Sequence, residues 1–373
     1  MIIKKILIVP SNRLVQQTEN HGKSLEFKSK YFINRLLKRN IAYDAELQWY
    51  GDIPDILGKN NVFMLGQIPN LFFSKSIPQY CPYPSCLGTS KPTFINFKQL
   101  NEAVKNVNAV LISSRSGERG KIAINEAKLN DIPVAILDFN DHESLYGLKD
   151  VENEIYRDFS FGKDFDFYFK KDLPIGYKKD TLIPLAPTPL RPSSYSFKKY
   201  NIDYDIFYSG TTHNGACQED RIEGIELIKK NFANSLVIEH EKMKNFISTK
   251  KYWSYFTKSS IAFSPSGLSW DSFRHCEIGL TKTTVLFAPV PYIETVPPFL
   301  QDGVNAILYD TEIRENKCHI KNKNSFIEKI DYYLGNPSKL NQIASNWFED
   351  VMNGHTVFSR SKYILESLEN YFK

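Results

Sequence analysis

Apolar residues in this chain come in short unbroken runs, separated by stretches with helical spacing. Ile6-Leu-Ile-Val9, Val62-Phe-Met-Leu65, Ala109-Val-Leu-Ile112 and Pro133-Val-Ala-Ile-Leu137 are such runs. A run of that length without alternation reads as a strand buried on both faces. Residues 27–39 place Phe27, Tyr31, Ile33, Leu36 and Leu37 at helical spacing, and 120–129 does the same with Ile122, Ile124 and Ala127. Strand 109–112, helix 120–129 and strand 133–137 therefore make a βαβ unit, which implies a parallel sheet with a right-handed crossover. Runs at 165–169 and 182–185 close this half.

Pro184, Pro187, Pro189 and Pro192 then crowd together with Ser193-Ser194, the composition of a linker. This divides the chain into a first domain at 1–190 and a second at 191–373. The alternation resumes with strands at 204–208 and 235–238 and helices at 219–232 and 243–257. A strand at 306–309 leads to a helix at 325–334, where Ser325 and Glu328 fit a capping box. Asn336-Pro337 fits an N-cap followed by proline in the first turn of a helix that Gly354 ends. A last helix covers 357–371 and is expected to close the pair of domains by packing back on the first. The fold class is α/β, with two facing Rossmann-like domains. A binding site in such a protein lies in the cleft, at the carboxyl ends of the strands.

The chain has 373 residues and a net charge of +5, mild enough to suit anionic small molecules or an anionic membrane surface. Lysine pairs such as Lys170-Lys171 and Lys229-Lys230 are isolated, and no dense basic block interleaved with aromatics is present, so nucleic acid is not the expected partner. No run approaches the roughly 18 apolar residues of a membrane-spanning helix, and residues 1–10 are too short for a signal segment. A cytoplasmic protein, at most peripheral to a membrane, is expected. Five irregularly spaced cysteines (Cys81, Cys86, Cys217, Cys276 and Cys318) read as reduced thiols.

The segment richest in chemistry is Phe263-Ser-Pro-Ser-Gly-Leu-Ser-Trp-Asp-Ser-Phe-Arg-His-Cys-Glu-Ile-Gly279, followed at once by the apolar run 284–289. Strand, glycine-containing loop, helix and strand is a layout that aims backbone N–H groups and a helix dipole at a phosphate. With Ser269 as N-cap, the helical wheel puts Trp270, Arg274 and Glu277 on one stripe and Phe273, Cys276 and Leu280 on a neighbouring buried one. The guanidinium of Arg274 suits a diphosphate, and the carboxylate of Glu277 suits two vicinal hydroxyls. An i,i+3 surface ion pair fits the same spacing. Ser266 and Gly267 lie in the loop before the helix.

A second constellation is the turn Ser209-Gly-Thr-Thr-His-Asn-Gly215 with Arg221 in the helix after it. Gly210 and Thr211 there allow a phosphate close approach to backbone, as a plain tight turn also would. A third is Asp138-Phe-Asn-Asp141-His142, which follows strand 133–137. Asp138, Asp141 and His142 are candidates for a general base, or for a helix cap. Arg115, after strand 109–112, is a further cleft candidate on the acceptor side. The triplets Asp164-Phe-Asp166 and Asp203-Tyr-Asp205 lead into apolar runs, so no metal is inferred from them.

The stretch 267–279, then Val285-Leu-Phe-Ala-Pro289, Leu300-Gln-Asp-Gly-Val-Asn-Ala-Ile-Leu-Tyr309 and His355-Thr-Val-Phe-Ser-Arg-Ser-Lys-Tyr-Ile364, resembles the C-terminal half of GT-B glycosyltransferases of the group-1-like, spore-maturation-type or exostosin-like branches. The resemblance covers about residues 203–365. It implies a nucleotide-sugar donor held by the second domain as co-substrate, with neither metal nor other cofactor. The first domain would take a glycan, lipid-linked or protein acceptor, in cell-surface glycan or glycoconjugate synthesis. It supports Arg274 as a phosphate ligand, offset from the basic position of the commonest pattern, and Glu277 as the hydroxyl acceptor. A nucleotide-sugar epimerase of the same fold and a non-catalytic sugar- or nucleotide-binding protein are the alternatives.

Overall fold

Unbroken apolar strands need cover on both faces, and both sheets of this protein have it. The computed structural model describes residues 2–12, 47–66, 90–139, 164–177, 180–185, 201–212, 219–240, 247–267, 270–315 and 317–371. The predicted helix at 27–39, the proline-rich linker, Cys81, Cys86 and Cys217 lie outside them.

The first sheet contains β1 (Ile6–Val9), β2 (Val62–Leu65), β3 (Thr93–Ile95), β4 (Ala109–Ser113), β5 (Val134–Asp138), β6 (Phe167–Lys170) and β7 (Leu182–Pro184). All are parallel, in the order β3-β2-β1-β4-β5-β6-β7. Alternate residues feed opposite cores, as the two-residue period of a strand requires. Leu7, Val110, Ile112 and Ile136 pack under α3 (Leu100–Lys105) and α4 (Glu118–Leu129). Ile6, Ile8, Leu111 and Leu137 meet α1 (Leu47–Tyr50) and α2 (Ile53–Leu57) on the other face. Helix α4 starts two residues before the predicted helix and buries Ala123, Ile124 and Ala127, while Ile122 faces solvent.

The second sheet has the order β12-β11-β10-β8-β9, again parallel throughout. Its strands are β8 (Tyr204–Thr211), β9 (Ser235–His240), β10 (Ser259–Phe263), β11 (Val285–Pro289) and β12 (Ile307–Tyr309). One face packs on α5 (Glu219–Asn231), α8 (Lys323–Leu334) and part of α9 (Pro337–Gly354). The other packs on α6 (Thr249–Thr257) and α7 (Phe273–Leu280), and on Trp347 and Val351 of α9. Gly279 of α7 lets α9 come close, since a Cβ there would lie 2.6 Å from Val351 and 2.9 Å from Trp347.

Several local expectations change. Strand β8 runs three residues into the predicted Ser209–Gly215 turn, because Ser209, Gly210 and Thr211 keep their register with β9. Helix α8 begins earlier than the predicted capping box: Asn322, not Ser325, is its N-cap and accepts from the Ser325 N–H at 3.0 Å. Pro337 does open α9, but the Asn336 side chain donates to the Tyr332 carbonyl instead of capping. A hairpin with no strong periodicity, β13 (Thr311–Arg314) and β14 (Lys317–Ile320), follows β12. Asp166 accepts from the Val134 N–H, Asp164 pairs with Lys128 and Asp203 with Lys258, so these carboxylates serve the strand ends. No helix among the described residues is long and apolar enough to cross a membrane.

The last helix, α10 (Val357–Tyr371), leaves the second domain and adds Ile364, Leu365 and Leu368 to the core of the first. Ser361 Oγ accepts from the Asp52 N–H and donates to the Trp49 carbonyl, and Tyr363 donates to Pro184 O at 3.0 Å.

One polar group is sealed inside the first sheet. Asp138 and Lys170 sit in register on β5 and β6 with side chains 0% exposed, 2.8 Å apart. Tyr168 and Ser114 donate to the same carboxylate at 2.6 and 3.3 Å. Breaking such a pair strands a buried charge. Lys170→Met is therefore expected to cost about 3–5 kcal/mol, measured as a fall in the urea midpoint; an unchanged midpoint contradicts this role.

Candidate active site

The carboxyl ends of β8, β9 and β10 converge with the first turns of α5 and α7, and the residues singled out in the second domain meet there. Arg221, in the first turns of α5, donates from Nη1 to Thr211 O at 2.8 Å and from Nε to Ser266 O at 3.0 Å. Its neighbour Asp220 accepts from the Ser266 N–H at 3.2 Å and the Tyr309 hydroxyl at 2.7 Å. The ends of β8 and β10 are thus tied to one helix terminus. Burial raises the pKa of Asp220, against the hydrogen bonds from Tyr309 and Ser266 that lower it. Through these two bonds Arg221 shapes the loop. Gly267 follows Ser266 at the loop's outer end and is half-buried.

Helix α7 starts three residues later than the wheel assumed. Its N-cap is Ser272, whose Oγ accepts from the Arg274 N–H, and Phe273 is its first residue. Trp270 therefore precedes the helix and does not share a stripe with Arg274 and Glu277. It is buried and donates to Pro289 O at 3.0 Å. Arg274 and Glu277 do lie together near the helix start.

Arg274 points across the strand ends. Its Nη2 donates to Ser209 O at 2.8 Å, and its guanidinium carbon lies 5.3 Å from the Tyr208 ring centre. Its Nε and Nη1 are shielded from solvent and complete no hydrogen bond of good geometry. Burial works against this charge; Tyr252, Tyr208 and Glu277 outweigh it, so the pKa stays above the ordinary arginine value. Gly210 makes room for the side chain, since a Cβ there would lie 2.6 Å from Tyr208 Oη and 3.1 Å from Arg274 Nη2. Glu277 is buried, and its Oε2 accepts from the Tyr252 hydroxyl of α6 at 2.8 Å. Burial and the Glu277 charge push the Tyr252 pKa well up, so the phenol stays a donor.

Residues without a sequence signal complete the edge. Ser209 Oγ and His240 Nε2 are 2.8 Å apart, and Thr212 donates to Glu239, which also pairs with Lys229. His240 ends β9, two residues beyond the apolar run from which the strand was read. Tyr252 was not legible: nothing at 249–257 distinguishes it from its aromatic neighbours before the fold places it against Glu277.

The first domain's candidates separate. Asp138 is enclosed by Lys170, Tyr168 and Ser114 and is 0% exposed, so its carboxylate is not available to take a proton from a substrate hydroxyl. Asp141 and His142 lie outside the described residues. Arg115 follows β4 and is exposed at the carboxyl edge of the first sheet. The two carboxyl edges face each other. Lys171, just after β6, lies 3.3 Å from Asp271, just before α7, and Leu173 O accepts from the Glu294 N–H at 2.6 Å.

Comparison of the sequence with protein-family models and with curated proteins gives no match. Solved structures do match. A crystal structure of Anabaena HepE in complex with UDP and glucose is 9% identical, covers 98% of this chain and 100% of its own, and gives a TM-score of 0.53. A second structure of HepE, in complex with UDP-glucose, gives 8%, 98%, 99% and 0.51. The fold is GT-B. In GT-B terms the converging residues occupy the second domain's side of the cleft.

Behind the cleft, α7 carries buried His275, its ring tilted by 55° against that of Trp270 with ring centres 4.7 Å apart. Near it, His355 contacts Pro298 O through Nε2 and Arg360 through Nδ1. Burial lowers the His275 pKa to about 4, and burial plus the Arg360 charge lowers that of His355 well below normal.

Two outcomes follow for stability. A basic group whose folded pKa is depressed is neutral in the native state while its unfolded form takes up protons below pH ~6.5. Stability should therefore fall as pH drops from about 6.5 towards 4, by up to ~1.4 kcal/mol per pH unit per histidine. Urea midpoints at pH 7 and 5 test this, and His355→Gln should flatten the slope. Gly210→Ala, instead of gaining the usual few tenths, should cost about 1–3 kcal/mol by overpacking against Tyr208 and Arg274; a stabilised variant would contradict the close approach.

Proposed function

We propose that this protein is a glycosyltransferase that moves a sugar from a nucleotide-sugar donor to a hydroxyl acceptor. The observation that carries the reading is Arg274: a shielded guanidinium whose Nε and Nη1 complete no hydrogen bond of good geometry, with the Tyr252 phenol and Glu277 beside it at a helix start in a GT-B cleft. Buried donors of this kind are costly unless a ligand completes them. A diphosphate does so, with oxygens for a planar fork and charge for the N-terminal end of α7. HepE, whose crystal structures contain UDP and UDP-glucose, supports the same class of ligand by its shared fold.

In this reading Arg274 stabilises the charge that develops on the departing nucleoside diphosphate as the glycosidic bond breaks. Arg221 and Asp220 hold the loop with Ser266 and Gly267 against it, while Gly210 and Thr211 form the opposite wall. Glu277, oriented by Tyr252, accepts from donor hydroxyls. Positive charge comes from the chain itself, so transfer is proposed to proceed without a divalent cation. The acceptor is proposed to be a glycan, lipid-linked or protein hydroxyl of cell-surface or glycoconjugate synthesis, lying against the first domain near Arg115. Asp141 or His142, after β5, would take its proton if the anomer inverts.

UDP at 100 times its Kd should stabilise the native protein by about 2.7 kcal/mol. Arg274→Met should weaken that binding by about 10- to 100-fold, the range for lost charge-assisted hydrogen bonds. Transfer from UDP-glucose should persist in EDTA. Glu277→Ala protein that binds donor and turns it over at the wild-type rate would sink the assignment. Conversion of free nucleotide sugar without an acceptor would favour an epimerase instead.

A further inference from the structure

The segment leaving β6 grips the second domain at two points. Lys171, whose N–H donates to Asp138 O at 3.0 Å, extends its ammonium to 3.3 Å from Asp271 and 3.7 Å from Asp172. These three side chains are 9%, 1% and 0% exposed. A few residues on, Leu173 O accepts from the Glu294 N–H, Pro174 bridges to Ile293, and the Gly176 N–H donates to Glu294 Oε1 at 2.9 Å. Asp172 takes a φ of +58°, a left-handed conformation uncommon for a residue with a side chain. Such a conformation persists only where the surroundings over-determine it.

Asp271 immediately precedes Ser272, the N-cap of α7, and Arg274 comes three residues after it. A lysine at a helix N-terminus opposes the helix dipole and is tolerated there when carboxylates neutralise it. Arg360 of α10 also lies in the field of Asp271. The carboxylate is thus shared by the first domain, the helix that crosses between domains, and the helix bearing Arg274 and Glu277.

We propose that Lys171 is a positioning residue: through its buried pair with Asp271 it fixes the register between the two domains, and so the place of an acceptor relative to the α7 donor site. It touches no reacting atom. The donor contacts have their own support inside the second domain, where Ser209 O holds Arg274 and Tyr252 holds Glu277. Loss of Lys171 should accordingly change transfer more than donor binding.

The kinetic half of the test rests on the glycosyltransferase reading; the scattering half does not. Lys171→Met keeps the length of the side chain and removes its charge. Small-angle scattering of the full chain is expected to give a larger radius of gyration for Lys171→Met than for wild type, and Lys171→Arg should restore the wild-type value. In transfer from UDP-glucose, Lys171→Met should lower kcat about tenfold or more, with the UDP Kd within twofold of wild type. Circular dichroism establishes that each variant is folded, and the charge-exchanged pair Lys171→Asp with Asp271→Lys serves as a second probe should Lys171→Met fail to fold. Wild-type scattering and wild-type kcat in Lys171→Met overturn the proposal, as does a loss of UDP binding equal to the loss of kcat. If the wild-type protein neither binds UDP nor transfers glucose, the glycosyltransferase reading fails, and the scattering comparison still decides the role of Lys171.

Discussion

The cleft side of the second domain depends on one guanidinium that ties two strand exits to one helix. Arg221 donates to Thr211 O and Ser266 O, which belong to the exits of neighbouring parallel strands. Strand exits are free ends, and nothing in a parallel ladder fixes the direction of the chain beyond them. With both carbonyls on one side chain, and the Ser266 N–H on Asp220, the two loops cannot move independently of α5. The wall around Arg274 is therefore set before any ligand arrives, which is the condition for electrostatic stabilisation without reorganisation.

The charged groups divide by how completely they are answered. Asp138 is met by Lys170, Tyr168 and Ser114, and Asp220 by Tyr309 and the Ser266 N–H. The Asp138 network is closed, with both carboxylate oxygens taken, and closed networks rigidify a core, whereas the two bonds to Asp220 share Oδ2 and its Oδ1 completes none. Arg274 differs from Asp138: it has one good hydrogen bond, the Tyr208 ring face and electrostatic neighbours in Tyr252 and Glu277, and its Nε and Nη1 complete no hydrogen bond of good geometry. Asp138 and Arg274 were both candidates for chemistry, since each sits at a strand's carboxyl end or a helix start. What separates them is the side-chain company supplied by the adjacent strand, here Lys170 and Tyr168 two residues apart on β6.

The sequence pattern located strands well where both faces are buried. Val62–Leu65 and Val357–Tyr371 coincide with the predicted bounds, because an unbroken apolar run or a clear helical stripe has few other readings. It failed where local signals compete. Ser269 and Ser272 both suit an N-cap, and Ser272 is the cap in the folded chain, which leaves Trp270 outside α7 to bond Pro289 O. Gly210 looked like a turn residue yet lies in β8, its missing side chain serving Tyr208 and Arg274 instead of a bend. The pairings Tyr252–Glu277, Ser209–His240 and Lys171–Asp271 join positions 25, 31 and 100 residues apart or come from different domains, and no periodicity encodes them.

The crossing of α10 gives the fold an order in time. The described strands of the first domain end at Pro184, yet Ile364, Leu365 and Leu368 belong to its core. At a synthesis rate of about 5–20 residues per second, roughly 9 to 35 seconds pass between emergence of β7 and of α10. During that interval the face around Ile8, Met64 and Leu111 lacks its last cover, while the face under α3 and α4 already has its own. The second domain, whose sheet and helices are contiguous from β8 to α9, can consolidate first. Completion of the amino-terminal domain is thereby deferred until the carboxyl-terminal helix arrives, and a nascent chain stalled before Val357 would present an apolar surface to chaperones.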